Sequence, residues 1–190
     1  MELRICPFIE SGKRSSLSGR VNGIAIFEKY KSKIDGLQEG DKVICDFDRV
    51  FTCTLSYLDG LLGELKVYLS AHKPNVLLQL EQIEGDLQVD MKGLFAYWKE
   101  EGKKTPAKKD LSLLLYQDGE LQLCGNADAV SRFTFEYLKQ EDLSARQLAD
   151  REHIEINTAS NRLVRVFQKG VAYRREIIDT EGKKYIYYIR

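Results

Sequence analysis

The chain has 190 residues with 29 Lys+Arg against 29 Asp+Glu, a formal net charge of zero at pH 7, which excludes a uniformly basic nucleic-acid coat and an acidic disordered tail. Hydrophobic residues make up 43% and charged residues 31%, enough to bury a core in one large or two small domains. No apolar run reaches the roughly 20 residues that cross a bilayer, and MELRICPFIESGKR lacks the apolar stretch of a signal peptide, so a cytoplasmic protein without a membrane partner is expected.

In chain order, Leu3 to Ile9 predicts a short strand, and 18–34 an amphipathic helix with Gly23, Phe27, Tyr30 and Ile34 on one face. KVICDF reads as a buried strand. From Ser56 to Ala71, Leu58, Leu61, Leu62, Leu65 and Leu69 form one stripe, and Ser56 with Asp59 spells an S-x-x-D cap. Pro74 then breaks the chain, VLLQLEQI gives a third strand, and 87–99 returns to helical spacing through Val89, Leu94 and Tyr97 or Trp98. This alternation predicts α/β architecture, helices packed on a sheet, over residues 1–102.

EEGKKTPAKKD at 100–110 has the composition of a solvated linker, and LSLLLYQDGELQLC is a hairpin around Asp118-Gly119. The segment 103–125 is thus linker and hairpin, and the sequence leaves open which half the hairpin joins. From 126 on, Val130, Phe133, Tyr137 and Leu138 make a helical stripe, and LSARQLADRE opens on a Ser144/Gln147 capping box. A third helix is expected over 158–169, capped by Asn157 or Thr158, stopped by Gly170, and burying Ala159, Leu163, Val166 and Phe167. VAYRREII and KKYIYYIR then close the chain as a two-stranded hairpin.

Cys6, Cys45, Cys53 and Cys124 form no C-x-x-C pair and His72 and His153 stand far apart, so buried thiols are expected, with neither a metal nor a cofactor. The nucleophile, P-loop and dinucleotide signatures are missing from the sequence, and an enzyme is not expected.

Helix, short helix, turn, helix and hairpin follow one another in the order of a winged helix-turn-helix. LSARQLADREHIEINTASNRLVRVFQKGVAYRRE resembles the winged-helix domains of bacterial transcriptional regulators over residues 126–190. Turning the four apolar residues of the third helix inward leaves Thr158, Asn161, Arg162, Arg165, Gln168 and Lys169 outside. Asn and Arg can read adenine and guanine edges, and Lys169 with Arg174, Arg175, Lys183 and Lys184 can hold phosphates. Residues 143–190 carry ten Lys+Arg against six Asp+Glu, whereas 106–142 carry four against seven, so positive charge gathers on the expected reading surface. The excess is modest, and a homodimer on double-stranded DNA is the expected arrangement.

KVICDFDRVFTCTLSYLDGLLGELKVYL resembles STAS and STAS-like domains, the fold of anti-sigma factor antagonists, through Asp46, Val50, Thr54, Ser56, Leu58, Asp59 and Gly63. It lacks their Asp-Ser-Ser-Gly run. The resemblance implies a β-sheet with packed helices and a phosphorylatable, partner-docking position at Ser56 or Thr54, although helix capping alone also accounts for Ser56 and Asp59. The sequence therefore predicts a STAS-like sensory or partner-binding domain joined to a DNA-reading winged helix. The alternative is a signalling adaptor whose winged helix dimerises or binds a partner.

Overall fold

A computed structural model describes residues 1–104, 111–180 and 182–189. Part of the expected linker, 105–110, and Glu181 of the last turn lie outside the described residues. The elements run β1 (Glu2–Ile5), α1 (Pro7–Glu10), β2 (Ser16–Leu17), α2 (Arg20–Asp35), β3 (Lys42–Asp46), β4 (Thr52–Cys53), α3 (Leu55–Leu58), a π-helical turn (Asp59–Gly63) and α4 (Glu64–His72). There follow β5 (Leu77–Glu81), α5 (Asp86–Glu101), β6 (Ser112–Gln117), β7 (Glu120–Gly125), α6 (Ala129–Gln140), β8 (Leu143–Ser144), α7 (Ala145–Glu152), α8 (Ile156–Gln168), β9 (Tyr173–Asp179) and β10 (Gly182–Tyr188). The fold is mixed α/β.

The principal sheet has the order β1-β3-β5-β6-β7, parallel through β6 and closed by antiparallel β7. The hairpin of open membership is therefore the edge of this sheet. Alternation along the strands decides what each face covers. Val43, Cys45, Leu78, Leu80 and Leu113 meet α2, α4 and α5, whereas Leu77, Leu114 and Leu123 turn the other way into a second core with Phe135, Leu138, Leu163 and Val166. One sheet thus floors two hydrophobic clusters.

Pro7, which has no N–H to give a ladder, ends the first strand at Ile5 and opens α1, so β1 is shorter than the Leu3–Ile9 expectation. The leucine stripe of 58–69 is buried as expected, but its start differs. Thr54 is the N-cap, its Oγ1 accepting from the Tyr57 N–H at 3.3 Å, and Ser56 sits exposed within the first turn. Asp59 plays no part in the N-terminal cap. It is 1% exposed, inside the π-helical turn, where it accepts from Trp98 Nε1 at 2.8 Å and pairs with Arg20.

Two other stripes are rotated from their expected phase. In α5 the inward residues are Leu87, Met91, Leu94 and Trp98, with Val89 exposed. In α6 they are Ser131, Thr134, Phe135 and Leu138, with Phe133 on the surface. The α6 hydroxyls can be buried because each is satisfied locally: Ser131 Oγ donates to Asp128 Oδ2 at 2.8 Å and Thr134 Oγ1 to the Val130 carbonyl at 2.9 Å. No helix among the described residues is long and apolar enough to cross a membrane. Of the cysteines, all free, Cys45 and Cys53 are buried, and burial pushes the Cys53 thiol up to about 12.

Candidate nucleic-acid interface

The C-terminal unit is α6, α7 and α8 with a three-stranded sheet of order β8-β10-β9. Its geometry is fixed locally. Asp128 caps α6 by accepting from the Ser131 N–H at 2.9 Å, and Arg132 bolts that helix to β7 by donating to the carbonyls of Leu123 (2.6 Å) and Gly125 (3.0 Å). The Ser144/Gln147 capping box opens α7 with both reciprocal bonds, the Ser144 N–H donating to Gln147 Oε1 at 2.8 Å. His153 ends α7 in the left-handed region, φ 53°, and turns the chain into α8.

Helix α8 begins two residues before its expected start, with Glu155 as N-cap, so Asn157 and Thr158 are exposed residues of the helix and not its caps. Ala159, Leu163, Val166 and Phe167 are buried as the spacing requires. Thr158, Asn161, Arg165 and Gln168 are exposed. Lys169, expected beside them, is instead 5% exposed, because the helix ends at Gln168 and Lys169 turns under it with its Nζ 3.9 Å from Asp128 Oδ2.

Most cations of this surface meet a carboxylate. Arg162 donates to Glu152 at 3.2 Å, Arg165 lies 3.8 Å from Asp128, Arg175 is 3.1 Å from Asp142, and Lys183 is 2.7 Å from Glu176. The Tyr137 hydroxyl and Arg162 hold the Glu152 carboxyl below the usual carboxylate range. For Asp128, burial opposes ionisation, but the Ser131 hydrogen bonds with Lys169 and Arg165 outweigh it and keep the carboxyl low. Arg165 nonetheless leaves 57% of its side chain exposed, and exposed pairs of this kind exchange readily for another anion. Arg174 is half-buried, its guanidinium 4.3 Å from the Phe167 ring and 4.5 Å from that of Tyr185. It is a packing residue as much as a charge.

Between α7, the start of α8 and the hairpin runs a groove of about 650 Å³, lined among others by Arg146, Ser160, Lys183, Lys184 and Tyr185. It brings the first turn of α7 beside the hairpin lysines. Neither Arg146 nor Ser160 is among the residues that the sequence places on the reading surface. The signal for Arg146 was its place two residues after the Ser144 cap, where a side chain in a first turn points outward. Thr54 and Ser56 take no part in this surface; they belong to the N-terminal unit, where the two hydroxyls lie 3.1 Å apart among exposed Phe51 and Leu55. Among the described residues no cluster of three or more His, Cys, Asp or Glu is arranged to hold a metal ion.

Compared with known proteins, the chain matches no family, no curated protein and no solved structure.

Proposed function

We propose that the C-terminal unit is a winged helix-turn-helix that reads duplex DNA, that the N-terminal unit is a STAS-like regulatory domain, and that the whole is a cytoplasmic transcriptional regulator. One observation carries this reading: Thr158, Asn161 and Arg165 face solvent on α8 beside a basic hairpin, uncovered by the N-terminal half. The helix–strand–helix–helix–hairpin order and the β8-β10-β9 pairing support it. Asn161 and Arg165 would meet base edges, while Arg146, Arg175, Lys183 and Lys184 along the groove and hairpin would meet phosphates. A second copy would supply the affinity that the modest charge excess of one head lacks.

Selection of bound duplexes from a random DNA pool, followed by fluorescence anisotropy on the enriched sequence, tests the reading. Asn161→Ala should cost about 1–3 kcal/mol on the selected duplex and relax its sequence preference. Lys183→Ala should weaken all duplexes alike and reduce the salt slope by about one. A pool that shows no enrichment, or variants that bind as the parent does, removes DNA reading.

The pairing of Arg162, Arg165, Arg175 and Lys183 with carboxylates favours a second reading, a signalling adaptor. In it the exposed Phe133 and Val130 of α6 would dimerise the winged helix, and the Ser56 face would dock a kinase-like or anti-sigma partner. The same selection separates the two, since an adaptor enriches no duplex.

A further inference from the structure

Four large apolar side chains stand exposed together on the N-terminal unit, none of them on an element of the DNA-reading surface: Phe51, Leu55 of α3, and Val89 and Tyr97 of α5. Their grouping follows from the backbone. Val89, Gly93 and Tyr97 lie one turn apart on the outer face of α5, opposite the buried Leu87, Met91, Leu94 and Trp98. Leu55 reaches that face from α3, its Cδ2 3.0 Å from where a Gly93 Cβ would stand. Phe51 borders it because the hydroxyl of the next residue, Thr52, donates to Asp90 of α5 at 2.8 Å, as does the Cys53 N–H. Phe51 and Val89 are 68% and 65% exposed. One such side chain is ordinary on a surface, whereas four sharing a face mark a place where another macromolecule sits.

Shape and charge along α5 point to which molecule that is. Gly93 has no side chain and exposed Ala96 only a methyl, so low ground lies beside the projecting Tyr97. The helix starts acidic: Glu84 precedes it, and exposed Asp86 in its first turn has no cation opposite it among the described residues. Lys99 stands in its last turn, and just beyond its end Lys103 and Lys104, 66% and 78% exposed, make surface pairs with Glu100 and Glu101 that exchange readily. A helix with a projecting ring beside low ground, and with opposite charges offered at its two ends, complements a copy of itself run antiparallel.

We propose that α5, with Phe51 and Leu55 beside it, is the face on which a second copy of this chain docks, the two α5 helices running antiparallel about a two-fold axis level with Phe95. Such an axis sets Tyr97 of each copy on Gly93 of the other and carries Asp86 toward Lys104 of the other, since the members of each pair lie equally far along the chain from residue 95. Helix α6 offers less, because the Tyr137 ring beside Phe133 is already stacked by the Arg151 guanidinium at 4.4 Å. The face gives a seat to the second copy invoked above, yet it stands on the N-terminal unit alone and does not require that the chain read DNA.

Sedimentation equilibrium of the full chain without DNA, over micromolar concentrations, tests it. The parent should be a reversible dimer. Val89→Asp, which places an unpaired charge in the interface, should raise the dissociation constant about tenfold or more. Asp86→Lys and Lys104→Glu should each weaken the dimer about fivefold, because every substitution acts twice across a two-fold axis, and the two together should restore it. Restoration by the double exchange cannot come from a chain that has lost its fold. Phe133→Ser should dimerise as the parent does. The proposal is overturned by a parent that stays monomeric throughout, by a dimer that Val89→Asp leaves intact, by a double exchange as weak as its single members, or by a Phe133→Ser chain that dissociates. None of these results depends on the DNA selection, so either reading can fail without the other.

Discussion

Asp59 keeps its carboxylate inside the N-terminal core with Trp98 and Arg20 among its partners. Trp98 is itself buried and offers one N–H, whereas Arg20 leaves 40% of its side chain exposed and also reaches Glu64 at 2.7 Å. Removing the arginine takes a cationic partner from a buried carboxylate, while the arginine itself could always turn to water. Arg20→Ala should therefore cost on the order of 3 kcal/mol, at the low end for a broken buried pair because the arginine is half solvated. Urea unfolding at neutral pH checks this; a loss under about 1 kcal/mol, the range of surface pairs, would mean that Trp98 and the surroundings of Asp59 hold the charge without the arginine. Nothing in the spacing announced this arrangement. S-x-x-D is a capping signature, and an aspartate one turn into a leucine stripe reads as a cap until Thr54, with its extended backbone, is seen to take that position.

Between elements, α2 comes backbone to backbone against α3 and the π-helical turn. A Cβ at Gly23 would stand 2.4 Å from the Tyr57 carbonyl, and one at Gly60 would stand 2.4 Å from the Arg20 carbonyl. Two backbones touch where side chains normally intervene. Gly23→Ala gains helix propensity worth about 1 kcal/mol, yet the overlap with fixed backbone should outweigh it and leave a net loss of about 2–3 kcal/mol. Denaturant midpoints of the variant settle the sign; a stabilised Gly23→Ala would show that the two helices part easily. Gly23 was legible as a position on the buried face of α2, but the reason it must be glycine lies across the core. The same limit applies to α6. Strands β3 and β5, both hairpins, the capping box and the inner face of α8 followed from period and punctuation, because each depends on neighbours within a few residues. The phase of α6 depended on Ser131 and Thr134 satisfying their own hydroxyls, which a count of apolar residues passes over.

Lys66 ties the halves of the molecule together. It belongs to α4, is 2% exposed, and donates to the Gly170 carbonyl at 2.8 Å beyond the end of α8. Burial first, and then the charge of Lys169, bring its pKa down to about 7. The sign follows directly: a lysine whose folded pKa lies below its unfolded value near 10.4 leaves the unfolded chain binding more protons between those limits, so stability rises with pH across about 7 to 10. Lys66→Met should abolish that rise and unfold later than the parent at neutral pH, as stability measured from pH 6 to 10 would show. An unchanged slope would assign the titration elsewhere. Tyr173 and Arg174 add to the join, the Tyr173 hydroxyl donating to the Asp41 carbonyl at 3.1 Å and the Arg174 N–H to Asn75 Oδ1 at 2.9 Å.

Leu77, Leu114 and Leu123 are strands of one half and packing partners of the other. A tilt of those strands by a fraction of an ångström has no slack in which to dissipate, since tightly interlocked side chains transmit displacement rather than absorb it. Substitutions at these three leucines should therefore disturb both halves at once. Among the described residues the shared β-layer is therefore a common footing, on which both hydrophobic clusters rest.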